Sequence, residues 1–365
     1  MLMVLFTSVI NVSFAQSINY NDIYQKTIND PAKTFFEVEQ LLLAPDLAID
    51  DKNKLKVIQS EIAYFIDQPQ HILSNVSEAQ SSGVLNNKWH ARALISQARG
   101  HYQRKEYPLF LIAAQKAVNK AKKTVSPVQE TAAIVEQALA FTFTGKVDLA
   151  KEKIKLAKKY LSLLVDDFDK AMILHRYSAT LSKLGQYSLA IDVSLEAIQI
   201  LNELNAPHFI SVGYYNLALN YDRAKQIKLA AKQMDLSYRW AIKDNNKLNQ
   251  AFSLVRLAVY QEQLNYIDEA KQTLLKAVNI ANKTNSNLVK VLALKNLALF
   301  SCKYAHEKQC QQYLQNSIDI AKTFDLQKDR SELLEILADE LYKDKKYKAA
   351  YEALKISFHL NNRAN

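Results

Sequence analysis

Apolar positions along this chain follow helical spacing. Phe35, Val38, Leu41 and Leu42 share one helix face behind a start signal at Asp30-Pro31, and further helices are predicted over 52–66 and 69–81. Farther along, the pattern also repeats over a longer distance. The stretch NLALNYDRAKQIKLAAKQMDLS, Asn216 to Ser237, recurs in steps of 40 residues at Arg256, Asn296 and Ile336, and backwards at Arg176, Glu136 and, more degenerately, Ser96.

Fixed columns of this alignment hold small residues. The first contains Ala98, Ala138, Ser178, Ala218, Ala258, Ala298 and Ala338. The second contains Phe110, Ala150, Ala190, Ala230, Ala270, Cys310 and Ala350, and the third Ala117, Ala157, Ala197, Ser237, Ala277, Ser317 and Ser357. Small side chains let two helices approach closely. Between the first two columns fall the expected turns, Gly145-Lys146 and Gly185-Gln186, where glycine can take the positive φ that ends a helix. Each period is therefore expected to be a helical hairpin. Leu217, Leu257, Leu297 and Leu337, with Met234, Leu274, Leu314 and Leu354, are expected to fill the space between hairpins.

Composition points the same way. With 5 Gly and 6 Pro in 365 residues, the chain lacks the turn residues of a sandwich, barrel or propeller and cannot write GxGxxG or GxxxxGK[ST]. An all-α chain is left, with no nucleotide-cradling loop.

The columns resemble the tetratricopeptide repeat family. A large-small pair on the first helix (Leu217-Ala218 and its equivalents) precedes an Ala that opens the second, and Gly185, Tyr187 and Ala190 give nearly the whole family turn. The period is 40 and not 34, as in longer-helix variants. The resemblance implies a right-handed superhelical solenoid of antiparallel hairpins, seven of them over 91–365, with residues 16–90 as an N-terminal helical cap. It also implies a concave groove lined by first helices that binds a peptide or protein segment. By register the lining is Val135, Leu139 and Phe143, then His175 and Lys183, then Tyr215, Asn216, Leu219, Asp222 and Arg223, then Phe252, Val255, Arg256 and Val259, then Lys295, Asn296, Leu299 and Lys303. Lys183, Arg223 and Lys303 form one rim column, suited to an acidic group or carboxyl terminus. Arrays of this kind also resemble the extracytoplasmic sensor portions of bacterial signalling proteins such as diguanylate cyclases. The expectation is a free envelope adaptor or a sensor part without its output domain, with an inner-membrane signalling protein as a further partner.

Residues 1–15, MLMVLFTSVINVSFA, read as a secretory signal: apolar, too short to span a bilayer, and ending in Ser13 and Ala15 at cleavage-site positions. The expected location is the periplasm. Charge is uneven beyond it: 10 acidic against 6 basic residues over 16–90, but 12 basic against 5 acidic over 101–160. Lys116, Lys120 and Lys123, then Lys151, Lys155 and Lys158, each follow i, i+4, i+7 spacing and form a basic outer face. That face is either solvated or a contact for a membrane surface or an acidic protein. No aromatics interleave the lysines, so nucleic acid is not an expected partner.

No HExxH, GxSxG or CxxC occurs and the seven histidines are scattered, so neither an enzyme nor a cofactor is expected. Cys302, His306 and Cys310 form one cluster with three readings: soft metal ligands on one helix, a disulfide between Cys302 and Cys310 across a turn in an oxidising compartment, or two small core residues.

Overall fold

Short-range signals start many of this chain's helices. Asp30, Asn86, Asp167, Asn246 and Ser286 each accept a hydrogen bond from the backbone N–H three residues on. Pro31, Pro69, Pro127 and Pro207 take the first helical position, where no N–H is needed. The computed structural model describes residues 18–83, 85–165, 167–304 and 307–363, and residues 1–15, expected to be a secretory signal, and His306 lie outside them. Among the described residues there are eighteen helices and no strand, and no helix is long and apolar enough to cross a membrane.

The helices fall into two bodies that divide between Leu164 and Val165. The N-terminal body carries α1 (Tyr20–Asn29), α2 (Pro31–Leu42), α3 (Ile49–Phe65), α4 (Pro69–Ser81), α5 (Asn87–Gln103), α6 (Tyr107–Ala121), α7 (Pro127–Phe143) and α8 (Val147–Leu161). The C-terminal body carries α9 (Phe168–Lys183), α10 (Tyr187–Glu203), α11 (Pro207–Arg223), α12 (Ile227–Lys243), α13 (Lys247–Gln263), α14 (Ile267–Ala281), α15 (Asn287–Lys303), α16 (Glu307–Thr323), α17 (Gln327–Lys343) and α18 (Tyr347–Arg363). From α11 onward, odd helices start at 207, 247, 287 and 327 and even ones at 227, 267, 307 and 347.

Odd and even helices pair as antiparallel hairpins around one kind of turn. Lys105, Gly145, Gly185, Lys225, Asn265 and Lys345 occupy equivalent turn positions, all with φ between 60 and 77°. The next N–H then reaches back across the helix end, as from Gln186 to the Leu181 carbonyl at 2.9 Å, which satisfies a carbonyl the helix leaves open. All three small-residue columns are buried, Phe110 included, its ring edge-on to Tyr102 at 5.5 Å. First helices also touch the next first helix within each body, α5 with α7, and α11 with α13, α13 with α15 and α15 with α17.

The 16–90 region holds a hairpin of the same build. α3 and α4 turn at Asp67 (φ 57°), Gln68 bonds back to the Ala63 carbonyl at 2.8 Å, and α3 packs on α5. Phe35 and Val38 are buried as the helical spacing predicts, whereas Leu41 is exposed at 40%.

Candidate functional site

Consecutive first helices touch along a seam, and register position relative to that seam decides which side chains reach the surface. Val135, His175, Tyr215, Val255 and Lys295 occupy one column at the seam's edge. Val135 and Val255 are too short to emerge and are buried, as is Leu139, so these three do not line an open groove as the register suggests. Tyr215 and Lys295 are long enough to come out part-way. His175 is also a correction. Both its ring nitrogens are sealed from solvent with no hydrogen-bond partner, and a Cβ built on Gly213 would meet its Cε1 at 3.2 Å. Its ring fills the space that Gly213 leaves on α11, and burial holds its pKa down at about 4.

At the centre of the C-terminal body, α11 and α13 assemble four polar groups. Arg256 interacts electrostatically with the Tyr215 hydroxyl, and Tyr260 lies 3.4 Å from the Asp222 carboxylate. Burial alone would lower the proton affinity of the Arg256 guanidinium, but Tyr215, Tyr260 and Asp222 outweigh it and raise it. The Tyr260 hydroxyl is pushed up, first by burial and then by Asp222. Beside this cluster Tyr215 and Phe252 open a small apolar cavity of about 260 Å³ bounded by Ser211, Asn249 and Ser253, into which Asn249 brings an unpartnered amide nitrogen.

The rim cations act as staples between hairpins. Arg223 donates to the Ser182 hydroxyl at 2.8 Å, and Lys303 pairs with Glu262 at 2.6 Å. In both, a residue at the end of one first helix reaches 41 positions back to the preceding one. Lys295 is paired with Glu332. Lys183, at the start of the same rim column, is exposed.

Between α13, α15 and α17 lies a wider depression of about 500 Å³. Val259, Leu299 and Phe300 give it an apolar floor, and Glu262, Lys303, Glu340 and Lys343 border it. Asn296 spends one amide hydrogen on the Leu292 carbonyl of its own helix at 2.8 Å, which leaves its oxygen and second hydrogen for another partner. Asn216 makes no side-chain hydrogen bond among the described residues. Cys302 and Cys310 are joined by a disulfide across the turn, Cα atoms 4.9 Å apart, so their sulfurs are not thiolates for a metal. Of the basic outer face, Lys151 pairs with Asp148 at 3.6 Å, while Lys155 and Lys158 extend into solvent from α8. Lys116, Lys120 and Lys123 border a cavity between α4, α5 and α6.

Two residues that shape this face were not singled out from the sequence. Tyr260 is almost wholly buried beneath the groove. Asn220 ties α11 to the preceding hairpin by donating to Ser178 at 2.9 Å and Ser194 at 3.1 Å. Each breaks the chemistry of its own column, which runs Ala140, Thr180, Asn220, Tyr260, Phe300 and Glu340, and that irregularity was the available signal.

No family model matches the chain, and no curated protein matches it. Solved structures do. The apo form of RapI is 16% identical with a TM-score of 0.54, over 94% of this chain and 96% of that one. A Rap protein complexed with competence and sporulation factor is 12% identical with a TM-score of 0.57 over the same shares. A signal transduction ATPase with a tetratricopeptide repeat sensor, from Pyrococcus horikoshii, is 13% identical with a TM-score of 0.61; it covers 96% of this chain, which spans 54% of that protein. At such identities the likeness is one of fold, and together with the hairpins, turns and small-residue columns it makes this chain a tetratricopeptide-repeat-like helical solenoid.

Proposed function

We propose that this chain is a non-enzymatic scaffold that takes an extended peptide or protein segment onto the first-helix face of its C-terminal body. The depression over α13, α15 and α17 carries the reading: an apolar floor, the Asn296 amide with bonding capacity to spare, and charges of both signs at its border. An extended segment offers alternating backbone N–H and C=O groups to such an amide and apolar side chains to such a floor. One protein of the same fold is solved with competence and sporulation factor bound, which supports a binding role.

The residues 1–15 have the composition of a secretory signal, and on that ground the scaffold is assigned to the cell envelope. A second reading, a ligand-sensing module of a membrane signalling system of the diguanylate cyclase or kinase type, draws on the repeat sensor of the Pyrococcus horikoshii protein.

The test is photo-crosslinking in cells with a photoreactive residue at Leu299 or Tyr215, and at Lys155 as the control. A discrete adduct at Leu299 that disappears with Val259→Glu supports the groove. Adducts confined to Lys155 would overturn it. Small-angle scattering separates the two readings, since a sensor changes shape when the captured partner is added and a static scaffold does not.

A further inference from the structure

The cavity between α4, α5 and α6 belongs to neither the groove nor the core. Its volume is about 390 Å³. Along one side α6 and the turn after it place Lys116, Lys120 and Lys123. None of the three has an acidic partner among the described residues, and no carboxylate lines the cavity. Like charges at successive helical turns repel each other even at the dielectric constant of water, and more strongly beside a protein wall. In contrast, Lys56, Lys151 and Lys303 all sit against carboxylates. The lysine cluster is thus a local concentration of uncompensated positive charge.

The opposite walls are polar donors. Gln80 of α4 lines the cavity with a side-chain nitrogen that is buried and has no hydrogen-bond partner. A buried donor left without an acceptor is destabilising, which an incoming oxygen would relieve. Gln97 and His90 of α5 stand beside it over the buried Leu94. Burial, and then the charge of Lys120, hold the His90 pKa below its ordinary value, so near pH 7 the imidazole is neutral and keeps one N–H to donate.

We propose that this cavity is a binding site for a phosphate-bearing ligand, its phosphate oxygens held by Lys116, Lys120 and Lys123 and by the Gln80 amide. Lysine serves phosphate as a point charge, and three of them around one side suit a dianion with several oxygens better than a single carboxylate. The volume leaves room for more than the phosphate group. A soluble phosphate ester and a lipid headgroup share this chemistry, and the measurement separates them.

The full chain is titrated calorimetrically with pyrophosphate, and in parallel sedimented with phosphatidylcholine vesicles containing phosphatidic acid. Lys120→Gln and Gln80→Leu are each expected to weaken the interaction about tenfold or more, the scale of one charge-assisted hydrogen bond. Lys155→Gln, which removes the same charge from α8 at a position that does not line the cavity, should change it less than about twofold. Circular dichroism of each variant checks that the helices are intact, and Lys116→Gln supplies a second exposed position should Gln80→Leu fail to fold. Lys120-dependent binding of pyrophosphate alone identifies a soluble ligand, and of vesicles alone a lipid headgroup. Binding of neither probe, or equal weakening by Lys155→Gln, would overturn the proposal.

Discussion

Removing the carboxylate of Glu136 should strongly destabilise the N-terminal body. Arg99 of α5 donates from Nε to Glu136 of α7 at 2.7 Å, and the two side chains are 10% and 0% exposed. The guanidinium also lies 5.2 Å from the Tyr64 ring. Deleting one partner of a buried pair leaves the other charge desolvated and uncompensated, which typically costs about 3–5 kcal/mol. Because Arg99 retains a sliver of exposure and an aromatic face, the lower end, about 3 kcal/mol, is expected for Glu136→Leu. Arg99→Met with Glu136→Leu together should lose less than Glu136→Leu alone, since an apolar pair replaces both charges.

The chain's two tryptophans make the assay body-specific: Trp89 lies on α5 and Trp240 on α12. In a Trp240→Phe background, fluorescence follows the N-terminal body alone. At a urea slope of about 2 kcal/mol per molar, the single substitution should lower the midpoint by about 1.5 M and the double one by clearly less. A single-variant shift under about 0.5 M, or a double variant as unstable as the single, would refute the reasoning. The first result would mean that water reaches the pair, the second that its shape matters and not its charge.

Three further expectations concern the C-terminal body, followed by Trp240 in a Trp89→Phe background. Burial lowers the His175 pKa from 6.5 to about 4, so the unfolded chain binds the extra proton between those values; stability should fall by about 3 kcal/mol as pH drops through that window, and His175→Leu should abolish the slope. Gly213→Ala gains about 1 kcal/mol of helix propensity but sets a Cβ 2.8 Å from Cγ1 of the buried Ile198; overpacking costs about 1–3 kcal/mol, so a lower urea midpoint is expected and a higher one would show that Ile198 yields. Replacing Cys302 and Cys310 together by alanine opens a short loop of sequence separation 8, and the calorimetric melting temperature should fall by the equivalent of about 2–3 kcal/mol; an unchanged value would mean that the turn is fixed by its backbone alone.

The repeat was legible because it is written in the residues that packing constrains most. A column that must let two backbones approach tolerates only small side chains, and the turn column favours residues that accept positive φ, so both survive as pattern even where Lys225 stands for Gly185. The α3–α4 hairpin escaped that pattern for a geometric reason. Steps of 40 back from Asn87 and Tyr107 give 47 and 67, but the helices begin at Ile49 and Pro69, and a two-residue slip moves every side chain by about 200° around the helix. The surface was less legible. Nothing in a lone Arg99 and a Glu136 37 positions later distinguishes a buried pair from two solvated charges, and His175 shares its column with the partly exposed Tyr215. Only the glycine across the seam, Gly213, marked the space that the imidazole fills.

The same pair of register positions differs between the two bodies. Arg99 and Glu136 correspond to Leu219 and Arg256, Val259 and Asn296, and Leu299 and Ile336 farther along. In the N-terminal body the two charges neutralise each other in the seam, and Val135 and Leu139 are buried with them. In the C-terminal body the apolar member cannot satisfy its polar neighbour, so Arg256 turns to Tyr215, Asn296 keeps an open oxygen, and Leu299 stays 40% exposed. The rim cations add little discrimination for an acidic ligand. Lys303 already holds Glu262 at an exposed site, and exchanging one carboxylate for another there is close to neutral in free energy. In the proposed scaffold, selectivity on this face would therefore rest on the amides and the apolar floor, which suit an extended backbone and the size of its side chains in preference to its charge.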